Sequence, residues 1–245
     1  MALLEAKNIS QIYETDKIIE DISIQLNPGE IICLIGSSGV GKTTLFHILS
    51  GLNLPTEGKV TLEGEDITGK AGRISYMLQK DMLIPYLSIE DNISLPLRIN
   101  GQKKKSAREQ VQKYFPQFGL SGTQKKYPSQ LSGGMRQRAA FLRTYMFSQK
   151  VALLDEPFSA LDAITKREMH KWYLEVMEEI RLSTIFISHD IDEAILLSDR
   201  IYIMSGKPGR IRKELIIERT GPKEEAFAMT GEFLNYKKEI LSYLQ

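Results

Sequence analysis

Lys42, Thr43 and Thr44 follow three glycines, Gly36, Gly39 and Gly41, in the stretch LIGSSGVGKTTLF. An ammonium group and hydroxyls directly after a glycine-rich segment are the groups that phosphate oxygens and a hydrated magnesium ion require. Glycine lets the backbone come close to an anion and turn its N–H groups toward it. Lys42 is placed to reach the β- and γ-phosphates of a nucleoside triphosphate, Thr43 to ligate Mg²⁺ and Thr44 to bond near the α-phosphate. Ser37, Ser38 and Val40 complete the loop that would wrap those phosphates.

A second set of chemical groups lies in VALLDEPFSALD, where apolar residues run into Asp155 and Glu156. An apolar strand ending in acids puts them at the carboxyl edge of a parallel sheet, where α/β folds bind ligands. Asp155 is expected to hold Mg²⁺ through its water shell. Glu156, one residue on, points elsewhere and is the natural general base toward water attacking the γ-phosphate. His189 follows TIFIS at what reads as another strand end on the same edge, where a hydrogen bond to the γ-phosphate is expected. His47 and His170 fall on helical segments without metal-like partners, so packing or surface roles are expected.

The third set is LSGGMRQR, from Leu131 to Arg138. Ser132 occupies an N-cap position, and Gly133 and Gly134 bare the backbone at a helix start. This is a second anion-binding device in a chain that already has one.

These groups need a scaffold, and the hydrophobic pattern supplies it. EIICLIG reads as a buried strand and KTTLFHILSGL as a helix, with Leu45, Leu49 and Leu52 at helical spacing. Leu3 to Tyr13 reads as a strand, and Ile22, Ile24 and Leu26 alternate as a second one. PTEGKVTLEGEDI reads as a turn and β-ribbon, and RISYMLQ as a strand. From about Ser88 to Phe147 the signals turn helical, through IEDNISLPLRIN, SAREQVQKYFPQFGL and GGMRQRAAFLRTYMF. Strands and helices then alternate from KVALLDEP through RIYIM. Alternation implies a mostly parallel sheet covered on both faces, with the helical middle as an insertion. Phe233, Tyr236, Ile240 and Tyr243 mark a C-terminal helix expected to pack on its own domain.

Composition is globular: 245 residues, 42% hydrophobic and 26% charged, with a net charge of +1. That balance carries no nucleic-acid footprint, and none is expected as a partner. The short basic runs 103–105 and 125–126 read as solvated faces. Cys33, the one cysteine, falls inside an apolar strand and reads as a small buried hydrophobe. No apolar run reaches the ~20 residues needed to cross a bilayer. The N-terminal residues lack the pattern of a secretory signal, so a cytoplasmic location is expected.

The motifs, in their order, resemble the nucleotide-binding subunit of an ABC transporter over nearly the whole chain. The phosphate loop matches Gly36 to Thr44, the signature Leu131 to Gly134 continuing through Gln137 and Arg138, and the acidic strand Val151 to Glu156. The resemblance implies that Ser159, Ala160, Leu161 and Asp162 form the D-loop, Gln79 the Q-loop glutamine, His189 the switch histidine and Tyr13 the adenine-stacking aromatic. Gln79 then joins Thr43 and Asp155 around Mg²⁺ and joins Lys42, Glu156 and His189 in hydrolysis. The implied fold is a P-loop NTPase: a RecA-like core with a mostly parallel sheet, an antiparallel β part and an inserted helical subdomain at about 85–148. Residues 1–221 would form the ATPase domain and 222–245 a helical extension.

The resemblance also implies ATP and Mg²⁺ as cofactors. It further implies a head-to-tail homodimer in which Ser132, Gly133, Gly134 and Gln137 face the partner's ATP. YMLQKDMLIPYLSIEDNISLPL and SHDIDEAILLSDRIYIMSGKPGRI resemble the branch that imports nitrate, sulfonates, taurine and pyrimidine precursors of thiamine. Tyr86 stands where that branch often has Trp, and FLRTYMF replaces its usual small-residue run after the signature. Membrane permeases and an extracytoplasmic solute-binding protein are the implied partners, and the cytoplasmic face of the membrane is the implied location. An exporter ATPase and a soluble ABC ATPase acting on nucleic acid or ribosomes are the alternative readings. The apolar run Met82, Leu83, Ile84, Pro85, Tyr86 and Leu87 directly after Gln79 is the expected permease contact, since exposed apolar patches mark interaction sites.

Overall fold

The apolar runs become the inner strands of a six-stranded sheet. β3 (Ile31–Gly36), β7 (Val151–Asp155) and β8 (Ser183–Ser188) are buried along almost their whole length, as strands covered on both faces must be. The computed structural model describes residues 2–219 and 225–244. Adding β6 (Ser75–Met77), β9 (Arg200–Ser205) and β10 (Arg210–Ile216) gives the strand order β10-β9-β3-β8-β7-β6. All neighbouring strands run parallel except β10, which pairs antiparallel with β9 at the edge. The order is not sequential, so strand ends far apart in sequence meet at one sheet edge.

A separate antiparallel sheet has the order β2-β1-β4-β5, from β1 (Leu4–Tyr13), β2 (Asp16–Leu26), β4 (Glu57–Leu62) and β5 (Glu65–Asp66). Its inner face and the first helix, α1 (Lys42–Leu49), share one hydrophobic core with Leu34, Leu153, Ile185 and Tyr202 of the parallel sheet. The opposite face of the parallel sheet packs on the helices. These are α2 (Ile89–Ile99), α3 (Lys104–Gln112), α4 (Gly133–Phe147), α5 (Ala163–Ile180), α6 (Ile191–Leu197) and α7 (Gly231–Leu244). Phe118, Phe141, Tyr145, Trp172 and Tyr173 form an aromatic cluster that joins α4 to α5. The helical middle is thereby continuous with the core of the sheet.

Three expectations about extent are corrected. Leu52 was expected on the first helix; α1 ends at Leu49 and Gly51 turns the chain at φ +75°, leaving Leu52 exposed. SAREQVQKYFPQFGL is helical only to Gln112 and continues as turns; Pro116 has no N–H to extend the ladder. β2 starts at Asp16, six residues before the alternating segment that announced it. The C-terminal helix buries Phe233 and Ile240 against its own domain, and the Tyr236 hydroxyl accepts from the Glu218 N–H at 3.0 Å. The boundary read at 221/222 lies outside the described residues.

Candidate functional site

The glycine-rich loop joins β3 to α1, as the strand–loop–helix pattern required. Gly39 and Gly41 have φ of +78° and +103°, and a Cβ on Gly41 would collide with the Ile19 side chain. Both positions therefore need glycine. Ser37, Ser38 and Gly39 are exposed, whereas the Val40 side chain packs into the core and leaves only its backbone to the loop. The Lys42 ammonium lies inside the loop, donating to the carbonyls of Gly36 at 2.7 Å and Ser37 at 2.9 Å. Burial lowers its pKa, and the negative charges of Glu156 and Asp155 oppose that shift. Thr43 is exposed on the first turn of α1 and Thr44 is half-buried behind it. Tyr13 ends β1 with its ring exposed and its hydroxyl accepting from Asn53 Nδ2 at 2.8 Å.

Four of the expected residues converge at the carboxyl edge of the parallel sheet. Gln79 Nε2 donates to Glu156 Oε2 at 3.0 Å and lies 3.4 Å from Ser159 Oγ. His189 Nδ1 is 3.4 Å from the same Glu156 oxygen. The Ser159 hydroxyl donates to the Glu156 carbonyl at 3.0 Å. Glu156 itself has φ +46°, a left-handed conformation that a non-glycine residue adopts at a cost. Its carboxylate has Gln79 and His189 as neighbours, whereas that of Asp155 has Tyr76.

Asp155 is half-buried at the end of β7, and its Oδ2 accepts from the Tyr76 hydroxyl at 3.2 Å. Burial raises its pKa, while the Tyr76 hydrogen bond works in the opposite direction. Thr43 Oγ1, the Asp155 carboxylate and the Gln79 amide oxygen are hard oxygen donors, the class Mg²⁺ takes. Among the described residues no three of His, Cys, Asp and Glu gather into a metal site. A magnesium ion that shares its shell with phosphates and water needs only one or two protein oxygens, so this donor set fits it.

The signature is a separate surface. Ser132 caps α4, its Oγ accepting from the Met135 N–H at 3.3 Å. Ser132, Gly133 and Gly134 share a groove with Ala160, Leu161 and Asp162, and no phosphate-loop residue lines it. Asp162 caps α5, accepting from Ile164 and Thr165 N–H at 3.1 Å each, and the Thr165 hydroxyl with these amides holds its carboxyl below the usual range. Gln137 does not join this surface. It is 7% exposed, and its amide donates inward to the Pro157 carbonyl, so it ties α4 to the Glu156 turn.

The run after Gln79 divides. Leu83 is buried in the core, and Ile84 and Leu87 are half-buried. Met82, Pro85 and Tyr86 are exposed, Tyr86 by 78%. Met82 and Ile84 line a groove of about 510 Å³ together with Leu52, Pro96, Ile99 and Phe147. Two residues that no motif announced shape this loop. Fully buried Asn92 bonds Ile84 N–H at 2.7 Å and the carbonyls of Ile84, Leu87 and Ser88 at 3.1 Å each. Arg143 donates to the carbonyls of Asp81 at 2.6 Å and Met82 at 2.7 Å. Of the other histidines, His47 packs edge-on to Tyr76 and His170 to Phe158.

Comparison with known proteins places the chain. A family model described as ABC transporter matches residues 19–159. The formylaminopyrimidine import ATP-binding protein ThiZ of Halalkalibacterium halodurans is 42% identical over 207 residues, covering 84% of this chain and 81% of that protein. The nitrate import ATP-binding protein NrtD of Synechocystis is 34% identical, covering 93% and 88%. Among solved structures, the ATP-binding cassette MJ0796, a dimer in a post-hydrolysis state with ADP and Pi, superposes with a TM-score of 0.74 at 25% identity, covering 88% of this chain and 99% of that one.

Proposed function

The chain belongs to the ABC transporter family, and from that premise we propose that it is the ATPase subunit that powers a membrane importer of a small solute. The observation that carries the chemistry is the convergence of Gln79 and His189 on one oxygen of Glu156. The loop 36–44 binds the phosphates through its N–H groups and Lys42. Thr43 and Asp155 would hold Mg²⁺, which when bound would supply positive charge to the γ-phosphate oxygens. Glu156 accepts the proton of the attacking water, with Gln79 and His189 fixing the carboxylate's orientation. Tyr13 stacks on the base. Ser132, Gly133 and Gly134, on a surface apart from the loop, serve the nucleotide of a second copy in a head-to-tail homodimer. That the similar MJ0796 cassette is dimeric supports a pairing of two copies.

No helix among the described residues is long and apolar enough to cross a membrane, so the chain reaches the bilayer through permease subunits. The groove beside Met82 and Ile84 supports this reading, being largely apolar and lined by Tyr76 and Met82, three residues to either side of Gln79 in the chain. A short cytoplasmic helix of the permease fits such a groove by its apolar face. An extracytoplasmic binding protein supplies the solute, and the relatives point to a pyrimidine precursor, nitrate or a sulfonate as its class.

Leu52→Asp tests the coupling, because Leu52 is 58% exposed in the groove and lies beyond the end of α1. The variant is expected to keep basal MgATP hydrolysis within about threefold, ~0.7 kcal/mol in barrier. It is expected to lose co-purification with the permease and solute-stimulated hydrolysis. Normal assembly and transport by the folded variant would place the docking surface elsewhere.

A further inference from the structure

Tyr76 belongs to no motif, yet it makes the hydrogen bond that fixes Asp155. β6 and β7 pair in parallel with Tyr76 opposite Leu153, so Tyr76, Leu153 and Asp155 share one face of the sheet. The phenol leans toward the carboxyl edge and its hydroxyl reaches Asp155 Oδ2 at 3.2 Å. The ring is held from the other side by α1: Phe46 meets it edge-on at 5.9 Å and His47 at 5.8 Å. α1 is the helix whose first turn carries Lys42 and Thr43. One side chain thus connects the phosphate-loop helix to the acidic strand.

We propose that Tyr76 is a positioning residue for the metal site, presenting Asp155 to Mg²⁺ with one carboxylate oxygen already satisfied and the other turned to the cation's water shell. The proposal rests on the reading that Asp155 serves Mg²⁺. Carboxylates that serve metals are themselves held by hydrogen bonds, and removing the holder weakens metal binding. Tyr76 is the donor in this pair, its hydroxyl directed at a carboxylate oxygen. That hydrogen bond holds Asp155 Oδ2 in place. A half-buried carboxylate left without it would be free to rotate away from the cation.

The test is Tyr76→Phe, which keeps the ring and its contacts with Phe46 and His47 and removes only the hydroxyl. Mn²⁺ binding in the presence of saturating ADP is read by electron paramagnetic resonance. The variant is expected to bind Mn²⁺ about tenfold more weakly, the low end for losing such a holder, with ADP binding in EDTA unchanged. In an Asp155→Asn background the same substitution is expected to add no further loss. Mn²⁺ affinity within twofold of wild type, or an equal loss in both backgrounds, overturns the proposal. A second measurement does not depend on the variant folding: with 3-fluorotyrosine at position 76 the ¹⁹F resonance is expected to shift on adding Mg²⁺ and ADP over ADP alone. It is expected not to shift in Asp155→Asn. A resonance indifferent to Mg²⁺ in the otherwise wild-type chain also overturns it. If Asp155 does not serve the metal at all, Asp155→Asn alone leaves Mn²⁺ affinity intact, which separates that failure from failure of Tyr76.

Discussion

Glu156→Gln is expected to bind MgATP normally and to hydrolyse it at least ~10²-fold more slowly, the scale of a lost general base. Glutamine preserves the length and one acceptor oxygen of the side chain, so it can keep a contact with Gln79 Nε2, now at 3.0 Å from the carboxylate. It cannot take a proton from water. The surrounding site is otherwise unchanged, because the left-handed backbone at Glu156 is closed by backbone groups: its N–H donates to the Ile187 carbonyl and its own carbonyl accepts from Ser159. ATP that is bound and not consumed should hold two chains together, so size-exclusion chromatography with MgATP is expected to show a persistent dimer. Single-turnover hydrolysis gives the rate directly. Near-normal turnover by Glu156→Gln removes Glu156 from the role of base.

The second large effect is one of restoration. Lys42→Ala and Ser132→Arg are each expected to abolish hydrolysis, the first by removing the ammonium from the phosphate loop and the second by filling the signature groove with a cation on a long stem. Mixed, they form dimers in which one site carries both defects and the other carries neither, provided that Ser132 serves the nucleotide held by the partner's Lys42. Activity is then expected to reappear on mixing. The groove that Ser132 shares with Ala160 and Asp162 is separate from the phosphate loop of its own chain, which is the geometry that prediction uses. A mixture no more active than its components, with mixed dimers demonstrated by differential tagging, contradicts the shared site. So does crosslinking of one γ-phosphate to Lys42 and Ser132 of the same chain.

What the sequence made legible is the chemistry written in consecutive residues. The phosphate loop is local: its three glycines, lysine and threonines occupy nine positions between one strand and one helix. The acidic strand and the Ser132 cap are equally local, and each stands where its pattern placed it. The contacts between segments were not legible. Tyr76 meets Asp155 because β6 is laid beside β7 after the whole helical middle has intervened. Nothing in RISYMLQ reports that neighbour. Arg143 reaching back to Asp81 and Met82 is of the same kind.

Gln137 is different, because a signal existed. Gly134, Gln137, Phe141 and Tyr145 are all buried and fall at helical spacing on α4. Reading that stripe first points the Gln137 side chain into the domain. Leu83 illustrates the limit of composition in loops. A run of six apolar residues need not share one fate: here one is in the core while Met82 and Tyr86 face outward.

The central claim is an ATPase whose active site is completed by a second copy of the chain, and its most direct measurement is steady-state MgATP hydrolysis by the purified protein over a wide range of concentration. If each site draws Lys42 and Glu156 from one chain and Ser132 from another, the rate per chain rises with concentration until dimers predominate. Ser132→Arg then stays inactive throughout that range. A rate per chain that is constant from dilute to concentrated protein, in dimer-free solution and unaffected by Ser132→Arg, would contradict the account.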